Sequence, residues 1–155
     1  MMDGHQIWLN ECEKINFDAN PRQYEEGTRT SEDAARQLGC DVSKIAKSIV
    51  FEGQDMAIVV ITSGSNRVDR KKKLKKILGY KPGQASPEYV LKSTGFAVGG
   101  VPPFGHLKET IKIIDEDLFK YDLIWGAGGT AETVFPITPE ELKRISKAEV
   151  RDVKQ

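Results

Sequence analysis

The chain is poor in the side chains on which hydrolytic and metal enzymes usually depend. Its 155 residues include only two histidines, His5 and His106, and two cysteines, Cys12 and Cys40. Two histidines so far apart cannot build a His-rich metal site, and neither cysteine has zinc-ligand or redox spacing. Reduced, structural thiols are expected. No nucleophile elbow surrounds a serine or cysteine, so a Ser-His-Asp or Cys-His triad is not expected. A Walker A loop is missing as well, because Gly64-Ser65-Asn66-Arg67-Val68 has no Gly-Lys-Ser/Thr ending. Gly126-Ala127-Gly128-Gly129-Thr130-Ala131 shares only its first two glycines with a dinucleotide fingerprint. No metal and no cofactor are expected.

Net charge is absent too. Lys plus Arg and Asp plus Glu number 23 each, so any nucleic-acid contact must come from a local patch. No apolar run reaches the roughly 18 residues of a membrane span. The start, Met-Met-Asp-Gly-His, has neither the basic nor the apolar region of a signal peptide. A soluble, cytoplasmic protein without membrane contact is expected. At 39% hydrophobic and 30% charged residues the chain is expected to fold as one domain over 1–155.

What is present is strong local punctuation. Ile7, Trp8 and Cys12 predict a first helix, and alternation around Ile15 and Phe17 predicts a strand after it. Residues 18–29 read as a loop. Thr30 predicts a capped helix that stops at Gly39, and a turn through 42–46 precedes a strand over 47–51. Met56 to Thr62 is a β-rich run that pairs with it as the sheet centre. Asp69 predicts a helix to Leu78, Ser86-Pro87 a short one before Gly95, and Thr138-Pro139 a last one. Strands are expected over 110–114, 123–125 and 133–137, with an edge strand over 150–153. Strands and helices mix without strict alternation, which predicts an α+β (mixed α/β) single domain, a largely antiparallel mixed sheet flanked by helices.

Three features carry candidate chemistry. Phe96-Ala-Val-Gly-Gly-Val-Pro-Pro-Phe-Gly-His106 is a stiff loop in which Gly99, Gly100 and Gly105 permit close backbone approach and Pro102 and Pro103 withhold amide donors. Such a loop suits gripping a small polar group through main-chain atoms, and a tight structural turn is the alternative. Lys47 opens an apolar strand ahead of Ser48, where an ammonium can meet a phosphate or an oxyanion, or else be a solvated strand-start lysine. Arg67, Arg70, Lys71, Lys72, Lys73, Lys75 and Lys76 place seven cations in ten residues, opposed within that span only by Asp69. A phosphate backbone would feel that field, and a solvated helix face is the alternative. No aromatic residue interleaves with them, so base stacking is not suggested.

In their order, Gly27-Thr-Arg-Thr-Ser-Glu-Asp-Ala-Ala, Lys47-Ser48-Ile49-Val50-Phe51, Arg67-Val68-Asp69, Ala85-Ser-Pro-Glu, Ser93-Thr-Gly-Phe, Gly99-Gly100-Val101-Pro102-Pro103-Phe104-Gly105, Gly126-Ala127-Gly128 and Pro139-Glu-Glu-Leu resemble the YbaK/ProX-type aminoacyl-tRNA deacylases. These are freestanding relatives of the editing domain of bacterial prolyl-tRNA synthetase. The resemblance covers most of the chain. It implies hydrolysis of the ester that joins a wrong amino acid to a tRNA, with Cys- or Ala-tRNA(Pro) as the type of substrate. It implies that neither a metal nor a protein nucleophile acts. It puts the family's lysine on Lys47 and its GxxxP loop on Gly99 to Pro103. Substrate contacts are then expected from Ser48, Gly99, Gly100, Val101, Pro102, Pro103, Phe104, Gly105, His106, Gly126, Gly128 and Gly129. Contacts to the tRNA backbone are expected from Arg67, Arg70, Lys72, Lys73 and Lys76. Mischarged tRNA is the implied partner, with an aminoacyl-tRNA synthetase as a second. Relatives often carry a basic residue in the last glycine turn, whereas this chain has Gly128-Gly129-Thr130-Ala131-Glu132. A non-catalytic module that binds tRNA, a nucleotide or a synthetase through the same pocket is the rival, and turnover separates the two.

Overall fold

A computed structural model describes residues 2–155. Helix α1 (Gly4–Lys14) starts where the Asp3 carboxylate accepts from the Gln6 amide, and it buries Trp8 and Cys12, four apart on one face. The strand expected around Ile15 and Phe17 does not form. Asn16 has φ 56°, which turns the chain out of α1, and the alternation arises because Phe17 packs edge-on against Phe104 and Phe135. Within the expected loop, Arg22–Gln23 form a two-residue strand, β1. Helix α2 (Ser31–Leu38) has Thr30 as its cap and ends at Gly39, φ 70°, as its punctuation predicts.

Strand β2 (Ile45–Glu52) starts two residues earlier than expected, and it pairs antiparallel with β3 (Ile58–Ser63) in a register that sets Lys47 opposite Thr62. The basic run does not form a uniform α-helix. Arg70–Leu74 is a π-turn, with the Leu74 amide reaching back to the Asp69 carbonyl at 3.0 Å, and α3 (Lys75–Leu78) follows. Leu74 is fully buried, while the Asp69 amide is tied to the Val153 carbonyl at 2.7 Å, so the turn widens between two fixed points.

Strand β4 (Gly83–Gln84) precedes α4 (Pro87–Thr94), which Ser86 caps. The chain then runs through β5 (Ile111–Asp115), a 3₁₀ turn over 116–120, β6 (Ile124–Ala127), β7 (Thr133–Ile137), α5 (Pro139–Ser146) and β8 (Glu149–Arg151). The sheet order is β1-β7-β6-β2-β3-β5-β8, with β4 also on β2. Four of the seven pairings are antiparallel, which makes this the mixed α+β sheet domain expected.

Every residue of β3 is buried, as befits the sheet centre. One face of the sheet carries the main core, with Trp8, Phe96, Phe104, Phe135 and Ile61. The other face carries two smaller clusters. Ile45 and Trp125 pack under Ala34 and Ala35 of α2, and Phe51 and Val60 pack under Leu74 of the basic run. Lys47 shares a strand face with Ile45 and Ile49 by the two-residue alternation, and so lies between those clusters.

Candidate functional site

The sheet is incomplete along one edge of β2. There β6 pairs only with Ile45 and Ala46, and β4 only with Phe51 and Glu52. Residues 47–50 have no strand neighbour on that side, and their backbone is free to meet a ligand. A cavity of about 450 Å³ lies there, floored by Ile45, Ala34, Trp125 and Val134 and bordered by Lys47, Ser48, Gly99, Val101 and Gly126.

Lys47 is half-buried, and burial is the main cause that lowers its pKa below the usual lysine range. Glu32 opposes that shift and Arg67 adds to it, so a carboxylate and a guanidinium lie within electrostatic reach of this ammonium. The Ser48 Oγ is buried and has no hydrogen-bond partner among the described residues. Leaving a buried hydroxyl unsatisfied costs about 1–3 kcal/mol, so this residue of the cavity wall carries an unmet hydrogen-bonding demand.

The glycine-proline loop divides into a part that faces the cavity and a part that anchors it. Gly99, at φ 92°, lines the cavity beside Val98, which is 55% exposed. Val101 lines it from the other end of the turn. Gly100 faces away, where a Cβ would come 2.7 Å from the Thr130 Cα. Pro102 is buried and Pro103 packs on Gly126. Phe104 lies in the aromatic core against Trp8 and Phe135, and its carbonyl accepts from the Trp8 Nε1 at 3.2 Å. Gly105 packs beside the Trp8 ring. His106 braces the loop from behind, with Nε2 2.7 Å from the Pro102 carbonyl and Nδ1 3.0 Å from the Thr110 hydroxyl. Burial pushes its pKa down to about 4.

Of the second glycine turn, Gly126 and Ala127 reach the cavity. Gly128 and Gly129 lie under the start of α1, where His5 Nδ1 meets the Gly128 carbonyl at 2.6 Å. The facing wall is instead the polar segment Thr28-Arg29-Thr30-Ser31-Glu32. It is pinned to the turn by the Thr28 hydroxyl, which donates to the Ala131 carbonyl at 3.1 Å. Sequence reasoning took this segment as loop and helix cap. The run of five polar side chains just before an apolar helix face is the signal that marks it.

Among the basic residues, Arg67, Lys71, Lys72, Lys75 and Lys76 are exposed. Arg70 is partly buried and donates to the Pro82 carbonyl at 2.9 Å, and Lys73 is paired with Asp152 at 2.8 Å. The free cations of this element are therefore not quite the set expected. No helix among the described residues is long and apolar enough to cross a membrane, and none of their His, Cys, Asp and Glu side chains cluster as a metal site.

Comparison with known proteins matches this architecture. YwhH, an uncharacterized protein of Bacillus subtilis (strain 168), is 32% identical over 136 residues, which is 87% of this chain and 86% of that one. The proline–tRNA ligase of Thermosipho melanesiensis is 32% identical over 125 residues, 79% of this chain but only 22% of the ligase. The chain thus spans about a fifth of that enzyme. A crystal structure of a candidate trans-editing enzyme for prolyl tRNA synthetase superposes with a TM-score of 0.93 at 37% identity, over 100% of this chain and 99% of that one. Residues 25–145, which hold both glycine turns, Lys47, the basic run and the polar wall, match the model of the aminoacyl-tRNA editing domain, and the chain belongs to that family.

Proposed function

We propose that the protein hydrolyses the ester of mischarged aminoacyl-tRNA in trans, with tRNA(Pro) carrying cysteine or alanine as the type of substrate. The observation that carries this is the open edge of β2, where Lys47 and Ser48 border an apolar-floored cavity facing Gly99 and Val101. The aminoacyl side chain lies on the floor made by Ile45, Ala34 and Val134. The ester carbonyl points to Lys47. As water adds to the carbonyl carbon, negative charge grows on the carbonyl oxygen and the ammonium offsets it. The carbon–oxygen ester bond then breaks, the ribose oxygen leaves with a proton, and the free amino acid is released. Ser48 lies beside Lys47 on this unpaired edge, where the backbone of residues 47–50 can meet polar atoms of the substrate. Gly99 brings backbone close to the aminoacyl group, and the exposed cations of 67–76 hold the tRNA backbone. The site as drawn works in the cytoplasm and needs no metal.

A panel of mischarged tRNAs, assayed in the presence of a chelator, tests this. At least one is expected to be deacylated. Lys47→Ala is expected to slow single-turnover hydrolysis of that substrate by on the order of a hundred- to a thousand-fold, the usual effect of removing one preorganised charge partner, without lowering the melting temperature. A wild-type rate from Lys47→Ala would remove the catalytic assignment. Tight tRNA binding with no turnover on any substrate would make the chain a binding module instead.

A further inference from the structure

The cavity is lined by an acidic residue whose carboxylate has no hydrogen-bond or ion-pair partner among the described residues. Among the described residues that line it, Glu32 is the one acid, and Arg29 and Lys47 are the cations. Neither Glu32 nor Lys47 takes part in an ion pair among the described residues. The ordinary duties of an acid in the first turn of α2 are taken by others. The Thr30 hydroxyl accepts from the Asp33 amide at 3.0 Å, and the Asp33 carboxylate pairs with Arg36 at 2.9 Å. Glu32 is exposed and lines the cavity.

An aminoacyl ester presents two polar groups within a few bonds of each other, a carbonyl oxygen that becomes negative and an α-ammonium that is positive. A cavity lined by cations alone would attract the first and repel the second. We infer that Glu32 is a specificity-determining residue that receives the substrate's α-ammonium group opposite Lys47, so that the site selects esters of free amino acids over esters whose amine is acylated. Glu32 and Lys47 line the same cavity, and the carboxylate favours the charged form of the ammonium. Charge-assisted hydrogen bonds of this kind are lost outright when the amine becomes an amide, so discrimination is expected to be large. N-acylated and peptidyl esters, which carry no such charge, would be excluded.

This inference takes the identity of the substrate from the proposed deacylase activity, so its test is made on binding and not on turnover. Non-hydrolysable 3′-deoxy-3′-aminoacylamido-adenosines bearing glycyl, alanyl, seryl or cysteinyl groups, each with a free and with an acetylated amine, are titrated into the full chain by calorimetry. The wild-type protein is expected to bind the free-amine form of its best analogue at least tenfold more tightly than the acetylated form. Glu32→Gln is expected to bind both forms alike, through loss of affinity for the free amine only, with an unchanged melting temperature. Equal binding of the two forms by the wild-type protein overturns the inference, as does full discrimination retained by Glu32→Gln, or no binding of any analogue. Discrimination in binding without deacylation in the tRNA panel would keep the role of Glu32 and discard the activity. Deacylation of acetylated and free substrates at equal rates would do the reverse.

Discussion

His106 stands behind the loop, and its protonation state bears on how firmly the loop is held. A carbonyl oxygen only accepts, so Nε2 donates to Pro102, and in the neutral ring Nδ1 accepts from the Thr110 hydroxyl. Burial, the largest influence on this ring, opposes its protonation, and its pKa falls to about 4 from an ordinary 6.5. Between those values the unfolded chain takes up a proton that the folded chain refuses. Stability from this group is therefore complete above about pH 6.5 and is lost as the pH falls towards 4. Urea unfolding at successive pH values is expected to show a drop for the wild-type protein over this window, and a shallower one for His106→Gln. Parallel curves would mean that the ring is protonated as readily in the folded chain as in the unfolded one. Burial acts on Lys47 in the same direction, lowering its pKa below the usual lysine range. Lys47 is partly buried between two apolar clusters, without an ion pair among the described residues, where a structural role would favour an apolar side chain.

At the scale of elements, the loop is held by what lies behind it. Gly100 touches the Thr130 backbone, Pro103 covers Gly126, and Phe104 is part of the aromatic core, so the cavity-facing Gly99 and Val101 sit on a rigid mount. Gly100→Ala would place a Cβ 2.7 Å from the Thr130 Cα, a main-chain atom that cannot swing aside. It is expected to destabilise the fold by about 1–3 kcal/mol, as overpacking does, and to reduce deacylation by pushing the loop off its mount. Chemical denaturation and single-turnover rates on the same preparation check both effects. Loss of activity with unchanged stability would show instead that Gly100 faces the substrate. The sequence makes this loop conspicuous but not its division of labour, because Gly and Pro types report backbone freedom and not which way the chain faces. Helix caps were legible for a related reason. Thr30, Asp69, Ser86 and Thr138 each accept from the amide three residues further along the chain, a purely local contact. The early start of β2 was hidden, since Ile45 pairs with Trp125, some eighty residues away, and Ala46 with both Gly126 and Ser63. The false strand at Ile15 and Phe17 has the same origin, a long-range aromatic contact that imitates alternation. Glu32 went unnoticed because an acid near a helix start needs no explanation until the cavity beside it is seen.

Across the whole molecule, the cavity and the basic element are tied into one frame. Arg67 lies within electrostatic reach of Lys47, and its carbonyl accepts from the Gln155 amide at 2.8 Å. The Asp69 amide is bound to Val153, and Lys154 bridges to Val68, so the chain end straps the basic run to the edge of the sheet. A tRNA whose terminal adenosine enters the cavity would then lay its nearby phosphates across cations held at a fixed distance from the chemistry. Binding to those phosphates releases counterions, and each contact contributes about 0.7–0.9 to the slope of log affinity against log salt. Lys72 and Lys76 are exposed and have no ion pair among the described residues, so they are better probes than Lys73, which Asp152 already occupies. The double substitution Lys72→Glu and Lys76→Glu is expected to weaken tRNA binding at low salt and to flatten the salt slope by roughly one to two. Hydrolysis of a minimal aminoacyl-adenosine should proceed at the wild-type rate, because that substrate carries no phosphate to lose. An unchanged slope would make the basic run a solvated face, while equal damage to the minimal substrate would mean that the charges act through the cavity and not through the RNA backbone.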